Sequence, residues 1–328
     1  MQNPFMKIGA VAAALAGLMV MGVANAASSY PERAIHLVVG FPAGGASDVA
    51  ARAVAEQMAA KLGKPVVVEN KPGAASNIAA DQVAKAQPDG YTVLFGTISL
   101  AINKSLYRNL KYDALKDFTP VSQLASAPFI LVTNPASPIQ SVQDLLKTKG
   151  KSASGDPLHY ATAGNGSGSH LFMELMAHEA QLELSHVPYR GAAPAMVDVI
   201  GGQVPLTFDN IITTLPLIES GKLRPLAVSS KQRSSAAPDI PTLHEAGVPG
   251  YDASSWFGLF VPAGTPEDVV QKLQQAAAEA VQTEAVTQTF KNVGAEALGT
   301  TSADFSKFFH NEVEKWSGVV ERAKVQID

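Results

Sequence analysis

The order of apolar and amphipathic stretches constrains this chain more than any other feature. Ile35–Val39 is a continuous apolar run, as expected of a strand covered on both faces. Ser47 or Asp48 is placed to cap a helix running to about Leu62, with Val49, Ala53 and Ala60 among its apolar positions, and Gly63 stops it. Val66–Glu69 reads as the next strand, Ile78–Ala86 as the next helix, Pro88-Asp89-Gly90 as a turn and Thr92–Phe95 as the third strand. A β-α-β-α-β order implies parallel strands with right-handed crossovers, hence an open α/β sheet. Such sheets take ligands beyond the carboxyl ends of their strands. Phe41–Asp48, Gly73–Asn77 and Gly96–Ser99 all fall there, along one edge.

A second α/β set follows. Phe129–Thr133 and Leu158–Ala161 read as strands, the latter running into Gly164-Asn165-Gly166-Ser167-Gly168-Ser169-His170. A helix from about His170 to Ala180, a strand at His186–Pro188, a helix around Met196–Ile200 and strands at Val204–Phe208 and Leu226–Val228 complete the unit. Trp256–Val261 reads as a further strand, and Pro266–Ala285 and Ser302–Lys324 as helices, with Pro266 suited to a first turn. The most economical architecture is two α/β lobes, with the chain crossing near Leu124–Pro128 and returning near Ala253–Gly258. Lobe 1 is then residues 27–126 and 253–328, and lobe 2 residues 127–252.

Residues 1–26 stand apart. Lys7 precedes an apolar run from Ile8 to Val23, and Ala24-Asn25-Ala26 offers the small residues read by a signal peptidase, so cleavage is expected before Ala27. The run is short for a bilayer span. The chain has no cysteine, so neither a lipidated cysteine nor a disulfide framework is available. The core must hold the fold by itself, and 46% hydrophobic residues suffice for that. A net charge of −4, with both signs dispersed, offers nothing to neutralise a nucleic-acid backbone. The chain reads as a soluble protein exported to the periplasm.

Two βα connections share a composition. Phe41-Pro42-Ala43-Gly44-Gly45-Ala46-Ser47-Asp48 and Asn70-Lys71-Pro72-Gly73-Ala74-Ala75-Ser76-Asn77 are rich in Gly and Ala and carry little bulk near the helix start. A helix N-terminus has unpaired amide donors and the positive end of the dipole, so two of them at one cleft form an anion clamp. In the first connection a ligand oxygen could meet the amides of Ala46 and Ser47 and the Ser47 hydroxyl; the alternative is a capped turn without a ligand. Asp48 fits a cap or a brace for neighbouring amides better than a ligand contact, since its charge opposes an anion. Gly164–Ser169 is a third Gly/Ser helix entry; Ser169 stands where a dinucleotide fingerprint needs its third glycine. Asp209 ends an apolar strand, where it receives a ligand N–H or hydroxyl or forms an Asx turn with Asn210. Arg190 in Tyr189-Arg190-Gly191 could clamp a carboxylate, with bracing or a surface position as the alternatives. No G-x-S-x-G or H-E-x-x-H motif is present and the seven histidines are scattered, so catalysis, a metal and a cofactor find no support; His170 alone merits attention.

Several motifs together resemble a known family. These are Tyr30-Pro31-Glu32-Arg33 followed by Phe41–Asp48, then Glu69–Ala74, Pro88-Asp89-Gly90-Tyr91-Thr92, Val187–Gly191, Phe208-Asp209-Asn210 and Gly258–Pro266. In order, over essentially the whole mature chain, they resemble the solute-binding receptors of the tripartite tricarboxylate transporter system, the Bug receptors. The resemblance implies a two-lobed type II periplasmic binding protein, or Venus flytrap, fold. It implies capture of a small carboxylate-bearing metabolite for the membrane permease subunits of such a transporter, by a monomeric receptor. Signalling to a membrane sensor kinase is the alternative, and an enzyme on the same fold a more distant one.

The expected binding set in lobe 1 is Phe41, Ala43, Gly44, Ala46, Ser47 and Asp48 on the first loop, with Gly73, Ala74, Ala75, Ser76 and Asn77 on the second. Thr97 and Ser99 join them from the third connection. Lobe 2 would add Asn165, Ser167, Ser169, His170, Tyr189 and Asp209. Two departures from the family pattern stand out: Ala75 and Ser76 occupy positions that are often glycine, and Lys104 one that is often proline.

Overall fold

The computed structural model describes residues 30–325 apart from Val293. The expected leader at residues 1–26 lies outside the described residues. Strand β1 (Ile35–Val39) is buried along almost its whole length. Helix α1 (Ala46–Leu62) follows it and ends on Gly63 in the left-handed conformation, φ 67°. Its N-cap is Gly45, so the helix begins before the Ser47 or Asp48 start expected from the sequence. Strand β2 (Val66–Asn70), helix α2 (Asn77–Ala84) and strand β3 (Thr92–Thr97) come next, and β1 pairs in parallel with both β2 and β3. Helix α3 (Ile98–Leu106), unanticipated in the sequence, springs from β3 with Thr97 as its cap, the hydroxyl accepting from the Ser99 amide at 3.3 Å.

Strand β4 (Phe118–Thr133) is 16 residues long, three times the length read from Phe129–Thr133. Beyond it lie helix α4 (Val142–Lys147), strand β5 (Leu158–Thr162), helix α5 (Gly168–Glu179), strand β6 (Leu184–Pro188), helix α6 (Ala192–Ile200) and strand β7 (Leu206–Asn210). Helix α7 (Ile211–Glu219) and strand β8 (Arg224–Val228) close this set. Strand β9 (Ser254–Pro262) returns to pair antiparallel with β3 on one side and β4 on the other. The helix expected over Pro266–Ala285 is instead α8 (Glu267–Val281), followed after a two-residue break by α9 (Glu284–Asn292), with Pro266 outside as the N-cap. A two-residue strand β10 (Glu296–Ala297) adds to β4, and helix α10 (Ser302–Ala323) ends the fold.

The sheet order is β2-β1-β3-β9-β4-β7-β5-β6, so β4 belongs to both halves. Its early residues, Phe118–Pro128, pair with β9, and its late residues, Phe129–Thr133, pair with β7. The register fixes where the strand ends lie. Thr97, at the carboxyl end of β3, pairs with Phe257, which pairs with Ala125. Asn210, at the carboxyl end of β7, pairs with Phe129. Strand β3 runs parallel to β4 and β7 runs against it, so the two carboxyl edges point toward each other. They converge on Ala125–Phe129, a stretch of about 13 Å at strand spacing.

Aromatic side chains tie the halves together behind this crossing. Trp256 of β9 meets Phe305, Phe308 and Phe309 of α10 edge-on at centroid distances of 5.8, 6.0 and 6.0 Å. Further along α10, Trp316 stacks on Phe172 of α5 at 5.2 Å, and Phe172 lies 4.7 Å from Phe129 of β4. Such pairs add about 0.5–1.5 kcal/mol each beyond area burial. The Glu312 carboxylate, 4% exposed, accepts from both indoles, Trp256 Nε1 at 3.0 Å and Trp316 Nε1 at 2.9 Å, and is ion-paired with Lys315. Two buried donors and one buried charge thereby satisfy each other.

Candidate functional site

The first loop leaves β1 at Gly40 and enters α1 at Ala46, and Asp48 organises it. Its Oδ2 accepts from the Gly44 amide at 2.9 Å and from Arg52 Nε at 3.0 Å. Its Oδ1 accepts from Asn70 Nδ2 at 2.9 Å, which also donates to the Phe41 carbonyl at 3.0 Å. Burial opposes ionisation of Asp48, but the bonds from Arg52, Gly44 and Asn70 outweigh it and lower its pKa to about 2. The Asp48 side chain is only 4% exposed, so it shapes the loop from behind. Ala43, Gly44 and Ala46 are exposed, and Phe41 and Ser47 half-buried.

The second loop is unusual in its backbone. Gly73, Ala74, Ala75 and Ser76 have φ of 139°, 46°, 50° and 76° in succession. A left-handed L-residue costs roughly 1–2 kcal/mol, and three of these four carry a β-carbon. The surroundings must hold the turn. Asn103 of α3, 1% exposed, donates Nδ2 to the Ala75 carbonyl at 2.8 Å and to Asn77 Oδ1 at 2.7 Å. The Tyr112 hydroxyl donates to the same Asn77 oxygen at 2.7 Å. Successive left-handed residues turn their amides toward a common side, which makes an anion-seeking concavity.

These two loops touch. A β-carbon on Gly40 would fall 1.8 Å from Ser76 Oγ, and the Lys71 amide donates to the Val39 carbonyl at 2.8 Å. Helices α1 and α2 open from them, and neither N-terminus has a side-chain cap. Thr97, Ser141, Ser167, Asn210 and Thr301 cap α3, α4, α5, α7 and α10 through their side chains, whereas α6 and α8, like α1 and α2, have no such cap; what sets α1 and α2 apart is that their starts adjoin. Two adjacent helix starts at one sheet edge therefore present main-chain donors without a protein acceptor built from a side chain.

Across the crossing lie the loops after β5, β6 and β7. Ser167 caps α5, accepting from the His170 amide at 3.4 Å, and donates to the Gly164 carbonyl at 2.6 Å. Ser169 Oγ accepts from the Ala163 amide at 3.0 Å and lies 3.0 Å from Ser167 Oγ. His170 Nδ1 accepts from the Gly166 amide at 3.1 Å, and its ring stacks on His186 at 3.8 Å and 9°. Burial, with the neighbouring His186, lowers the His170 pKa to about 4, so the ring is neutral at pH 7. Asn165 is exposed at the loop tip. The Tyr189 amide donates to the Thr162 carbonyl at 3.0 Å, placing its loop beside Gly164, and its hydroxyl is bound to Asp198 at 2.5 Å. Asp209 Oδ1 accepts from the adjacent Asn210 amide at 2.8 Å, whereas the i to i+2 bond of an Asx turn is made by Asn210, whose Oδ1 accepts from the Ile212 amide at 3.0 Å. Burial pushes the Asp209 pKa up, against bonds from Asn210 and Thr213.

The expected residues thus gather into two groups, one on each carboxyl edge. Sequence reasoning missed Asn103, Tyr112, Asn70 and Arg52, which act behind the loops rather than on them. Among the described residues no group of His, Asp and Glu is arranged to hold a metal, and no helix is long and apolar enough to cross a membrane.

A family model described as "Tripartite tricarboxylate transporter family receptor" matches residues 50–325. The chain belongs to that family. BugT of Bordetella pertussis (strain Tohama I) is 38% identical over 296 residues, covering 90% of each chain. A Rhodopseudomonas palustris structure determined with adipate is 36% identical with a TM-score of 0.73, covering 91% of this chain and 100% of that one. MatC from the same organism, with bound malate, is 32% identical with a TM-score of 0.71, covering 89% and 100%. The receptor accordingly has the two-lobed type II periplasmic binding protein fold, and it is a solute-binding receptor of the periplasmic class.

Proposed function

We propose that this receptor captures a small carboxylate-bearing metabolite between its lobes and presents it to the membrane permease subunits of a tripartite tricarboxylate transporter. The lobes are taken as residues 27–126 with 253–328, and residues 127–252, after removal of an N-terminal signal peptide. The observation that carries the reading is the adjacency of two helix starts without side-chain caps, α1 and α2, beyond the carboxyl ends of β1 and β2. The adipate and malate complexes of the two R. palustris relatives support a carboxylate.

One carboxylate of the ligand would receive amides of Ala46 and Ser47 with the Ser47 hydroxyl, and amides of Ala74, Ala75 and Ser76, the Asn77 amide being held by the Ala74 carbonyl. Asp48 serves as the brace. Thr97 and Ser99 flank the clamp. Ser167, Ser169, His170, Asn165 and Tyr189 would read the remainder of the ligand. Asp209 would accept a ligand N–H or hydroxyl.

Charge-assisted hydrogen bonds contribute roughly 1.5–3 kcal/mol each. Three or four of them, less the cost of association, correspond to roughly micromolar capture. A ligand touching both lobes favours the closed form by its differential affinity for that form. The test is a thermal-shift screen of carboxylic acids beside their amides and esters. Stabilisation by the acids alone is the expected result; equal stabilisation by acid and amide would overturn the clamp.

A further inference from the structure

We infer that Asn103 is a positioning residue for this site, setting the direction of the second loop's amides without touching the ligand; the inference rests on the carboxylate reading of the Gly73–Asn77 turn. Asn103 lies on α3, 1% exposed, and its Nδ2 makes bonds to the Ala75 carbonyl at 2.8 Å and Asn77 Oδ1 at 2.7 Å. Those two acceptors bracket Ser76, the last left-handed residue, and Asn77, the first residue of α2. In a trans peptide the N–H points opposite to the preceding carbonyl. With the Ala75 carbonyl drawn toward α3, the Ser76 N–H is directed away from it. Alanine and serine gain by leaving positive φ, so a turn released from Asn103 relaxes and its amides lose their common direction.

This explains how the chain keeps the turn with Ala75 and Ser76 where glycine would be free of strain. Tyr112 assists from the far side: its hydroxyl reaches Asn77 Oδ1 at 2.7 Å, and its ring packs edge-on against Phe118 at 5.7 Å.

The experiment compares Asn103→Ala, Asn103→Ala with Ala75→Gly, and Tyr112→Phe against the unsubstituted receptor. Two readouts are used: backbone NMR shifts and couplings of Ala74–Ser76 without ligand, and Kd for malate and adipate. Asn103→Ala should erase the left-handed signature and weaken dicarboxylate binding by about 10- to 100-fold, as the loss of a buried polar anchor implies. Adding Ala75→Gly should restore a large part of both, because glycine takes positive φ without penalty. Tyr112→Phe should shift both readouts the same way by a smaller factor, and it keeps the test decisive if Asn103→Ala fails to fold. Retained left-handed shifts in the variants, or loss of affinity that Ala75→Gly does not recover, would overturn the inference. Failure of both dicarboxylates to bind the unsubstituted receptor would count against the carboxylate reading alone, because the ligand-free shifts still decide whether Asn103 sets the turn.

Discussion

Ser76 fills the space that a side chain on Gly40 would need: a β-carbon on Gly40 lies 1.8 Å from Ser76 Oγ and 2.4 Å from its Cβ. This contact joins the ends of β1 and the second loop. Gly40→Ala should therefore cost about 1–3 kcal/mol, the range for overpacking, and weaken carboxylate binding as the loops are forced apart. Ser76→Gly in that background should recover part of the stability, since it removes the Oγ and Cβ clashes but leaves the Ser76 Cα, 2.7 Å from the new β-carbon. Urea unfolding of the two variants beside the unsubstituted receptor checks this; an unchanged midpoint in Gly40→Ala would refute the packing.

Asp48 should govern acid stability. Its folded pKa of about 2 lies below its usual value near 3.9, so the unfolded chain takes up the proton first. Its contribution is complete above about pH 4 and is lost as pH falls toward 2. Asp48→Asn should flatten the stability profile in that window and lower stability at pH 7, because the Arg52 and Gly44 bonds weaken. Denaturant melts between pH 2 and 7 provide the measurement.

His170 sets a second window. Its folded pKa of about 4 is depressed from the usual 6.5, so protons bind the unfolded chain preferentially between these values. Stability should fall as pH drops from about 6.5 to about 4 and level off below. The groups facing the ring are His186, Tyr160 and Glu174, with the His170 Nε2 to Glu174 distance at 3.9 Å. An NMR titration of the imidazole should give a midpoint near 4. A midpoint at 6.5 or above would contradict the buried stack.

Glu312→Leu should be among the more destabilising single changes. It would leave the indole N–H groups of Trp256 and Trp316 without their acceptor, at roughly 1–3 kcal/mol each. Glu312→Gln keeps an oxygen for the indoles and should cost less. Unfolding followed by tryptophan fluorescence reads both, and equal losses for the two variants would argue against the shared acceptor.

The alternation of elements was legible because each early strand is built on three consecutive apolar residues, Leu37–Val39, Val66–Val68 and Val93–Phe95, and β1 matches its predicted span, Ile35–Val39, with His36 as a polar interruption. The first half of β4 was not, because Pro120 and Pro128 disfavour a strand; the pairing with β9 accommodates Pro120 beside a register shift. Helix α3 was missed since its polar residue Asn103 faces inward, to bind another loop. The composition of the two Gly/Ala loops did point to the sheet edge where they lie. Their conformation was hidden: nothing local tells that Ala74, Ala75 and Ser76 sit at positive φ, because the restraint comes from α3 and Tyr112.

Strand β4 passes unbroken from one half of the sheet to the other, and β9 starts at Ser254, opposite Pro128. No slack tether separates the halves at this point. Any swing of one lobe must be absorbed as twist in a few pleated residues, with the irregular register at Pro120/Ser122, Gln123/Ala125 and Leu131/Val132 as the natural places to yield. A rotation of one half of the sheet against the other therefore winds a continuous hydrogen-bonded strand rather than bending a loose linker.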